Sequence, residues 1–338
     1  MVTNGILYQQ FGTKSDRIDT TSVNLIKYLL KLLLKLMGFT VSKNIPKSSI
    51  NLKEQIINDY KLSGYLPWSP GYNEYKEDQI TKAIRDEDIK VKILNGENLP
   101  EKFGVGLDER IIEYTWFFSS VERFTKQANN YLDAGPVMNH AFVVKRARNL
   151  AKKVHFTSLS HEDNCFQELD ISYIFSDLRS LPIKDDFYDI ISCISTLEHI
   201  GCDNSCYGNQ PRPSFSNSKN FEFLDAAKEL NRVMKPDGSL YITVPFGQYM
   251  HLGMIQQFDQ EMIDCLVDTF GHSRTDVSFY KYSIDGWQVS DHASCKNSVF
   301  VKWLTDSLMN QQFPSPHPEE IDKAAAARSI CCLKVNGK

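Results

Sequence analysis

The chain of 338 residues carries 38 Lys plus Arg against 42 Asp plus Glu, a formal charge of −4. It lacks the basic excess of proteins that work on a polyanion, so no nucleic-acid partner is expected. Hydrophobic residues at 42% and charged residues at 24% supply a large core and rule out a globally disordered chain. At about 150 residues per domain the length suits one large domain with an extension, or two domains.

In chain order, residues 1–20 are polar and mixed and read as a mobile terminus. Residues 24–37 then place Lys27, Lys31 and Lys35 every fourth position in an otherwise apolar run, a helix with one narrow basic stripe. From Leu25 to Met37 it would be about 20 Å long, too short for a hydrocarbon core of about 30 Å. Two readings remain open: the helix docks on protein, or it lies in a membrane interface with its lysines turned to anionic headgroups. Residues 21–125 as a whole read as a helical leader, with a helix over Glu77 to Asp88. The aromatic run Glu113-Tyr114-Thr115-Trp116-Phe117-Phe118 plugs the edge of the following domain or forms a lid over its pocket.

From residue 126 to the end the pattern changes. Short apolar runs at Tyr131-Leu132, Val154 to Leu159, Tyr188 to Ser195 and Leu240 to Val244 alternate with helical or looped segments. Phe221 to Met234 has helical spacing and stops at Lys235-Pro236-Asp237-Gly238, a turn carrying both breakers. Strand, helix, turn and strand make an α/β unit with a parallel sheet, whose ligands bind beyond the carboxyl ends of the strands. Polar residues stand at the strand ends: Asp133-Ala134-Gly135-Pro136 after the first, Ser176-Asp177-Leu178 in the third-strand region, Ser195-Thr196-Leu197-Glu198-His199 after the fourth, and Pro245-Phe246-Gly247 after the fifth.

Among the eight cysteines, Cys193 and Cys331 sit in apolar runs and behave as small hydrophobes. Cys202 and Cys206 are four apart with no second ligand pair at zinc spacing, so no metal is expected. No cleavable signal opens the chain, and the expected setting is cytoplasmic, or peripheral at the inner membrane face if residues 24–37 bind lipid.

The segment from Asp177 to Ile191, with Leu181-Pro182 and Phe187-Tyr188-Asp189, resembles the acidic-to-Leu-Pro segment and fourth strand of class I S-adenosylmethionine-dependent methyltransferases. Thr196-Leu197-Glu198-His199-Ile200 is similar to the segment after that strand, and Glu229 to Leu240 to the helix and turn before the fifth. More weakly, Ala324 to Arg328 as helix and Ser329 to Val335 as strand resemble the closing antiparallel strand. The Leu-Asp-Ala-Gly and Asn-His elements are similar to a subgroup associated with bacterial glycan and lipopolysaccharide assembly.

The resemblance implies a Rossmann-like, doubly wound, seven-stranded and mostly parallel sheet with an antiparallel closing strand. It implies methyl transfer from S-adenosylmethionine to a small-molecule or glycan acceptor, by expectation a hydroxyl of a saccharide or glycolipid. Asp133 and Gly135 would form the first-strand loop near the methionine part, although Pro136-Val137-Met138 replaces the family's later glycines. Ser158 is the positional match for the ribose acid, with Glu162 a substitute a few positions on. Asp177 would face the adenine amino group with Leu178 beside the ring, and Ser195 and Thr196 would line the floor. Glu198 and His199 would stand where cofactor and acceptor meet, His199 as general base. Asn204, Tyr249 and Trp287 are candidates for the acceptor wall. The alternative is a non-catalytic scaffold in glycan assembly, motivated by the altered first loop. A nicotinamide oxidoreductase is disfavoured, because only Gly135 occurs between Asp133 and Leu150.

Overall fold

The computed structural model describes residues 48–122, 128–205, 218–301 and 322–337. Residues 1–20, the helix expected at 24–37 and Cys206 lie outside the described residues. The described residues from Lys53 onward belong to one compact unit.

Four helices precede the sheet: α1 (Ser48–Leu62), α2 (Tyr72–Ala83), α3 (Glu87–Asn95) and α4 (Arg110–Val121). The single helix expected over 77–88 is two. Asp86 adopts an extended backbone and its side chain accepts from the Asp88 and Ile89 amides, which starts a new helix. Gly96, at φ 67°, ends it.

The sheet strands are β1 (Ala128–Ala134), β2 (Ala151–Ser158), β3 (Ile171–Phe175), β4 (Tyr188–Ile194), β5 (Met234–Pro245), β8 (Thr275–Ser283), β9 (Gly286–Ser290) and β10 (Ser329–Asn336). A small separate ribbon holds β6 (Met250–His251) and β7 (Gln256–Gln257). The order is β3-β2-β1-β4-β5-β10-β8-β9, a Rossmann-like, mostly parallel arrangement. Strands β1 to β5 are parallel to one another, whereas β10 runs antiparallel between β5 and β8. The count is eight rather than seven, because β8 turns back through Gly286 into β9. Residues 235–238, expected as a turn between the helix and the fifth strand, lie within β5 as a bulge, since Tyr188 pairs with Met234 and Ile190 already with Ser239. Ala324 to Ala327 are buried but not helical.

Alternation along each central strand sends neighbours to opposite faces. Tyr131, Ile190, Tyr241 and Cys332 join one core with the leader helices and α5 (Val144–Arg148). Leu132, Ile191, Leu240, Ile242 and Leu333 join another with α6 (Phe223–Val233) and α7 (Gln260–Phe270). Helix α6 buries Phe223, Ala226, Ala227, Leu230 and Val233, the spacing of one helical face. The Asp259 side chain caps α7 by accepting from the Met262 amide.

Helix α4 is buried along its length. Phe117 stacks on Tyr131 with ring centroids 6.1 Å apart and meets Tyr241 edge-on at 5.4 Å. It therefore covers the middle of the sheet, not its edge, and burying each such ring stabilises the fold by about 1.5–3 kcal/mol.

Candidate active site

Each parallel strand ends in a loop, and the loops after β1 to β4, with Arg110 of α4, surround a cavity of about 430 Å³. That volume lies in the range of small-molecule sites.

After β1 the chain turns at Gly135, with φ 96°. A Cβ there would lie 2.2 Å from Thr196 Oγ1, so the loops after β1 and β4 touch only because the residue is glycine. The Thr157 hydroxyl accepts from the Gly135 amide at 3.1 Å and donates to the Asp133 carbonyl at 3.2 Å, tying the turn to β2. Asp133 is buried and forms no part of the cavity wall. Its carboxylate accepts from the Met138 amide at 2.7 Å and from Ser192 Oγ at 2.6 Å, so it caps the turn beneath the cavity. Burial raises its pKa to about 7, against the pull of those two hydrogen bonds.

Beyond β2, Ser158 Oγ donates to Glu162 Oε1 at 2.7 Å, and Asn139 Nδ2 donates to Glu162 Oε2 at 3.2 Å. The backbone reversal after β2 thus returns an acid to the strand end, and both Ser158 and Glu162 line the cavity. Beyond β3, Asp177 and Leu178 line it as well. Asp177 accepts from the Arg179 amide at 2.9 Å and from its guanidinium at 2.6 to 3.1 Å. Arg179 also pairs with Glu222.

The turn after β4 is the most constrained. Ser195 holds φ 40°, a conformation unusual outside glycine. Its hydroxyl donates to Glu113 Oε1 at 2.6 Å, where Thr243 Oγ1 also donates at 2.6 Å. The other oxygen of Glu113 pairs with Arg110. Thr196 Oγ1 donates to the Ile194 carbonyl at 2.9 Å. His199 lines the cavity, and its Nδ1 lies 3.0 Å from the Met254 carbonyl. A carbonyl only accepts, so Nδ1 carries the hydrogen and Nε2 the lone pair. Burial, then the Arg110 charge, lowers its pKa to about 4, so the ring is neutral at pH 7. Asn204, also on the wall, donates to the His199 and Cys202 carbonyls at 3.2 and 3.3 Å.

Of the residues expected from sequence, Gly135, Ser158, Glu162, Asp177, Leu178, Ser195, Thr196, His199 and Asn204 meet around this one cavity. Asp133, Glu198, Tyr249 and Trp287 do not. Glu198 is 4% exposed, and its Oε2 has no hydrogen-bond partner among the described residues. Trp287 is fully buried, with Nε1 donating to the Leu107 carbonyl at 3.0 Å; it sits on the last strand of the sheet as a packing residue rather than an acceptor platform. The Tyr249 hydroxyl donates to the Ser218 carbonyl at 2.9 Å. Arg110 and His140, which sequence reasoning missed as site residues, line the cavity, and Glu113 supports it from α4. The available signal was a set of charges, Asp108-Glu109-Arg110 and Glu113, entering an otherwise apolar helix.

Residues 141–242 match the family model described as "Methyltransferase domain", the stretch that holds β2, β3, β4, α6 and the loops after β2, β3 and β4 that face the cavity. The chain carries a methyltransferase domain. On that ground it is an S-adenosylmethionine-dependent methyltransferase, with S-adenosylmethionine as its cofactor. No curated protein matches the sequence. Among solved structures it is similar to the [4+2]-cyclase SpnF, at 15% identity over 64% of this chain and 78% of that one, with TM-score 0.39. It is also similar to 1,6-didemethyltoxoflavin-N1-methyltransferase of Burkholderia thailandensis, solved with its substrate and S-adenosylhomocysteine (10% identity, 89% and 94% covered, TM-score 0.39). A third is the N-methyltransferase NodS of Bradyrhizobium japonicum with S-adenosylhomocysteine (10%, 64% and 82%, TM-score 0.33). At these identities and scores they say nothing of this chain's acceptor.

The donor set on the cavity wall suits the cofactor. Glu162 and Ser158 offer acceptors of the kind two ribose hydroxyls require, Leu178 an apolar face for a base, and the Gly135 turn a backbone that a ligand can approach closely. Among the described residues no cluster of His, Cys, Asp and Glu could hold a metal ion, and no helix is long and apolar enough to cross a membrane.

Proposed function

We propose that the enzyme methylates a hydroxyl group, on a saccharide or glycolipid acceptor, with His199 as the general base. The observation that carries the base assignment is the His199 Nδ1 contact with the Met254 carbonyl, which fixes the neutral tautomer, basic at Nε2, on a residue that lines the cavity. Glu162 with Ser158 would hold the ribose, Asp177 and Leu178 the adenine, and Gly135, Ser195 and Thr196 the remainder. The bound cofactor supplies an electrophilic methyl carbon. The protein's share is orientation, exclusion of water and proton removal.

A base with a pKa near 4 is fully unprotonated at neutral pH but holds a proton weakly. That suffices for a hydroxyl, which becomes strongly acidic only as its oxygen bonds to carbon. His199 Nε2 takes that proton and releases it to solvent afterwards. The saccharide assignment rests on the sequence resemblance and on the polar His199 end of the cavity; Trp287 lends it nothing, being buried elsewhere.

Calorimetry with S-adenosylhomocysteine and turnover on a panel of glycan acceptors test this. His199→Ala is expected to keep cofactor affinity and lose about 100-fold or more in turnover; unchanged turnover would reduce His199 to a loop anchor. A protein that takes up no S-adenosylhomocysteine even at millimolar ligand would instead be a scaffold. Peripheral membrane contact rests on the lysine stripe at 24–37 alone, and co-sedimentation with anionic vesicles should disappear when residues 1–40 are deleted.

A further inference from the structure

We propose that Arg110 is an anion-binding residue of the cavity, fixing a ligand carboxylate near the His199 end. The methyltransferase reading enters only in naming the ligand; the site itself rests on geometry. The Arg110 side chain is 26% exposed and forms part of the cavity wall. A guanidinium carries five N–H donors, yet the only side-chain hydrogen bond Arg110 makes among the described residues is from Nη1 to Glu113 Oε2. Arg179, the other arginine on the wall, differs: its Nε, Nη1 and Nη2 are all engaged, by Asp177 and Glu222 together. One guanidinium between two carboxylates is therefore an arrangement this protein already builds, and Arg110 has only the first of its two.

The donor is also held in place. Glu113 is buried and fully used, accepting from Ser195 and Thr243 on one oxygen and from Arg110 on the other. A long side chain fixed this way gives up little further freedom on binding. The neighbouring charges are spoken for. Asp108 pairs with Lys76 at 2.8 Å, and burial raises Glu109 to about 8, so it is uncharged at neutral pH. His140 and His199, both on the wall, are lowered by burial and by Arg110 itself. A carboxylate matches the open donors of a guanidinium in a two-pronged contact. Its source is either the amino-acid end of the cofactor or an acidic group on the acceptor.

Calorimetry on the full chain separates these. S-adenosylhomocysteine and 5′-methylthioadenosine share nucleoside and sulfur, but only the first has a carboxylate. Wild type, Arg110→Gln and Arg110→Met are compared, the last in case the first variant does not fold. If the cofactor is the source, both variants lose about 10- to 100-fold in S-adenosylhomocysteine affinity and nothing in 5′-methylthioadenosine affinity. If the acceptor is the source, both nucleosides bind unchanged, and acetate titrated onto the S-adenosylhomocysteine-loaded protein binds wild type but neither variant. Equal loss of both nucleosides, or no change with any ligand, overturns the proposal. Should wild type bind neither nucleoside, the methyltransferase reading fails on its own, and acetate added to the protein alone still decides whether Arg110 holds an anion.

Discussion

The two ends of the cavity are built on different terms. At the end formed by β2 and β3, each carboxylate has a partner within a turn of sequence, Glu162 in Ser158 and Asp177 in Arg179, with Asn139 and Glu222 joining from farther away. At the end formed by β1, β4 and α4, the polar groups answer to partners far along the chain, and several stand away from their ordinary protonation states. His199 is lowered to about 4, and Glu198 is raised to about 8. The first end is suited to holding a ligand already formed; the second brings a neutral imidazole and a partly exposed guanidinium to the wall, where a group could change charge.

The heaviest blow to the second end falls at Glu113. Glu113→Ala strips the acid from beneath Ser195, Thr243 and Arg110 and leaves a guanidinium without its partner. A loss of about 3 kcal/mol is expected, at the lower end for a broken buried pair because Arg110 is partly exposed. Urea unfolding measures it, and a loss below about 1 kcal/mol would show that the β4 turn does not depend on α4, erasing the contrast between the ends.

His199 comes next and is read through pH. The unfolded imidazole titrates near 6.5 and the folded one near 4, so between those values the unfolded chain binds more protons and stability falls as pH is lowered. The contribution is on the order of 2–3 kcal/mol between pH 7 and pH 4. It should be absent from His199→Gln, so the difference between the two proteins across that window isolates it. The same shift places the acid limb of the turnover profile near pH 4 rather than 6.5. A limb at 6.5 would mean the ring is solvated and its end of the cavity no different from the other.

A smaller effect is expected where the groups are paired locally. Glu162→Gln keeps Ser158 and the neutral hydrogen-bonding shape but loses a charged acceptor, so S-adenosylhomocysteine should bind about 10-fold more weakly. Turnover at saturating cofactor should hold. A fall in turnover without loss of binding would place Glu162 with the reacting groups.

The same division explains what could be read from sequence. Strands β1, β2, β4 and β5 were legible because strands buried on both faces need apolar runs, and the loop residues after them followed by position. The Glu113 contacts were not, since Ser195 and Thr243 lie 82 and 130 residues away and no local pattern encodes them. Trp287 was taken for a pocket wall because hydrophobic spacing says that a ring is buried but not against what; here the partners are Leu107 and Tyr282. Ala324 to Ala327 suggested a helix by propensity, yet all four are buried beside β10, and the Val301 amide donates to the Ala326 carbonyl instead. Tertiary contacts outweighed intrinsic preference.

Glu198 gives the smallest effect and the finest distinction. Sequence placed it beside His199 as a second catalytic group, but it is absent from the cavity wall, and burial, with Glu113 and Glu109 nearby, raises its carboxyl to about 8. At neutral pH it is mostly protonated, so Glu198→Gln exchanges one neutral polar group for another of similar shape. Turnover should stay within about threefold at pH 7. The consequence lies in the pH dependence of stability, with the opposite sign to His199. Between pH 4.5 and 8 the folded carboxyl binds more protons than the unfolded one, so wild type loses stability as pH rises through that window, and Glu198→Gln should lose less. Unfolding midpoints at pH 5 and pH 8.5 for both proteins measure the slope. If the variant instead lost turnover a hundredfold with an unchanged slope, Glu198 would belong with His199 among the groups that meet the acceptor.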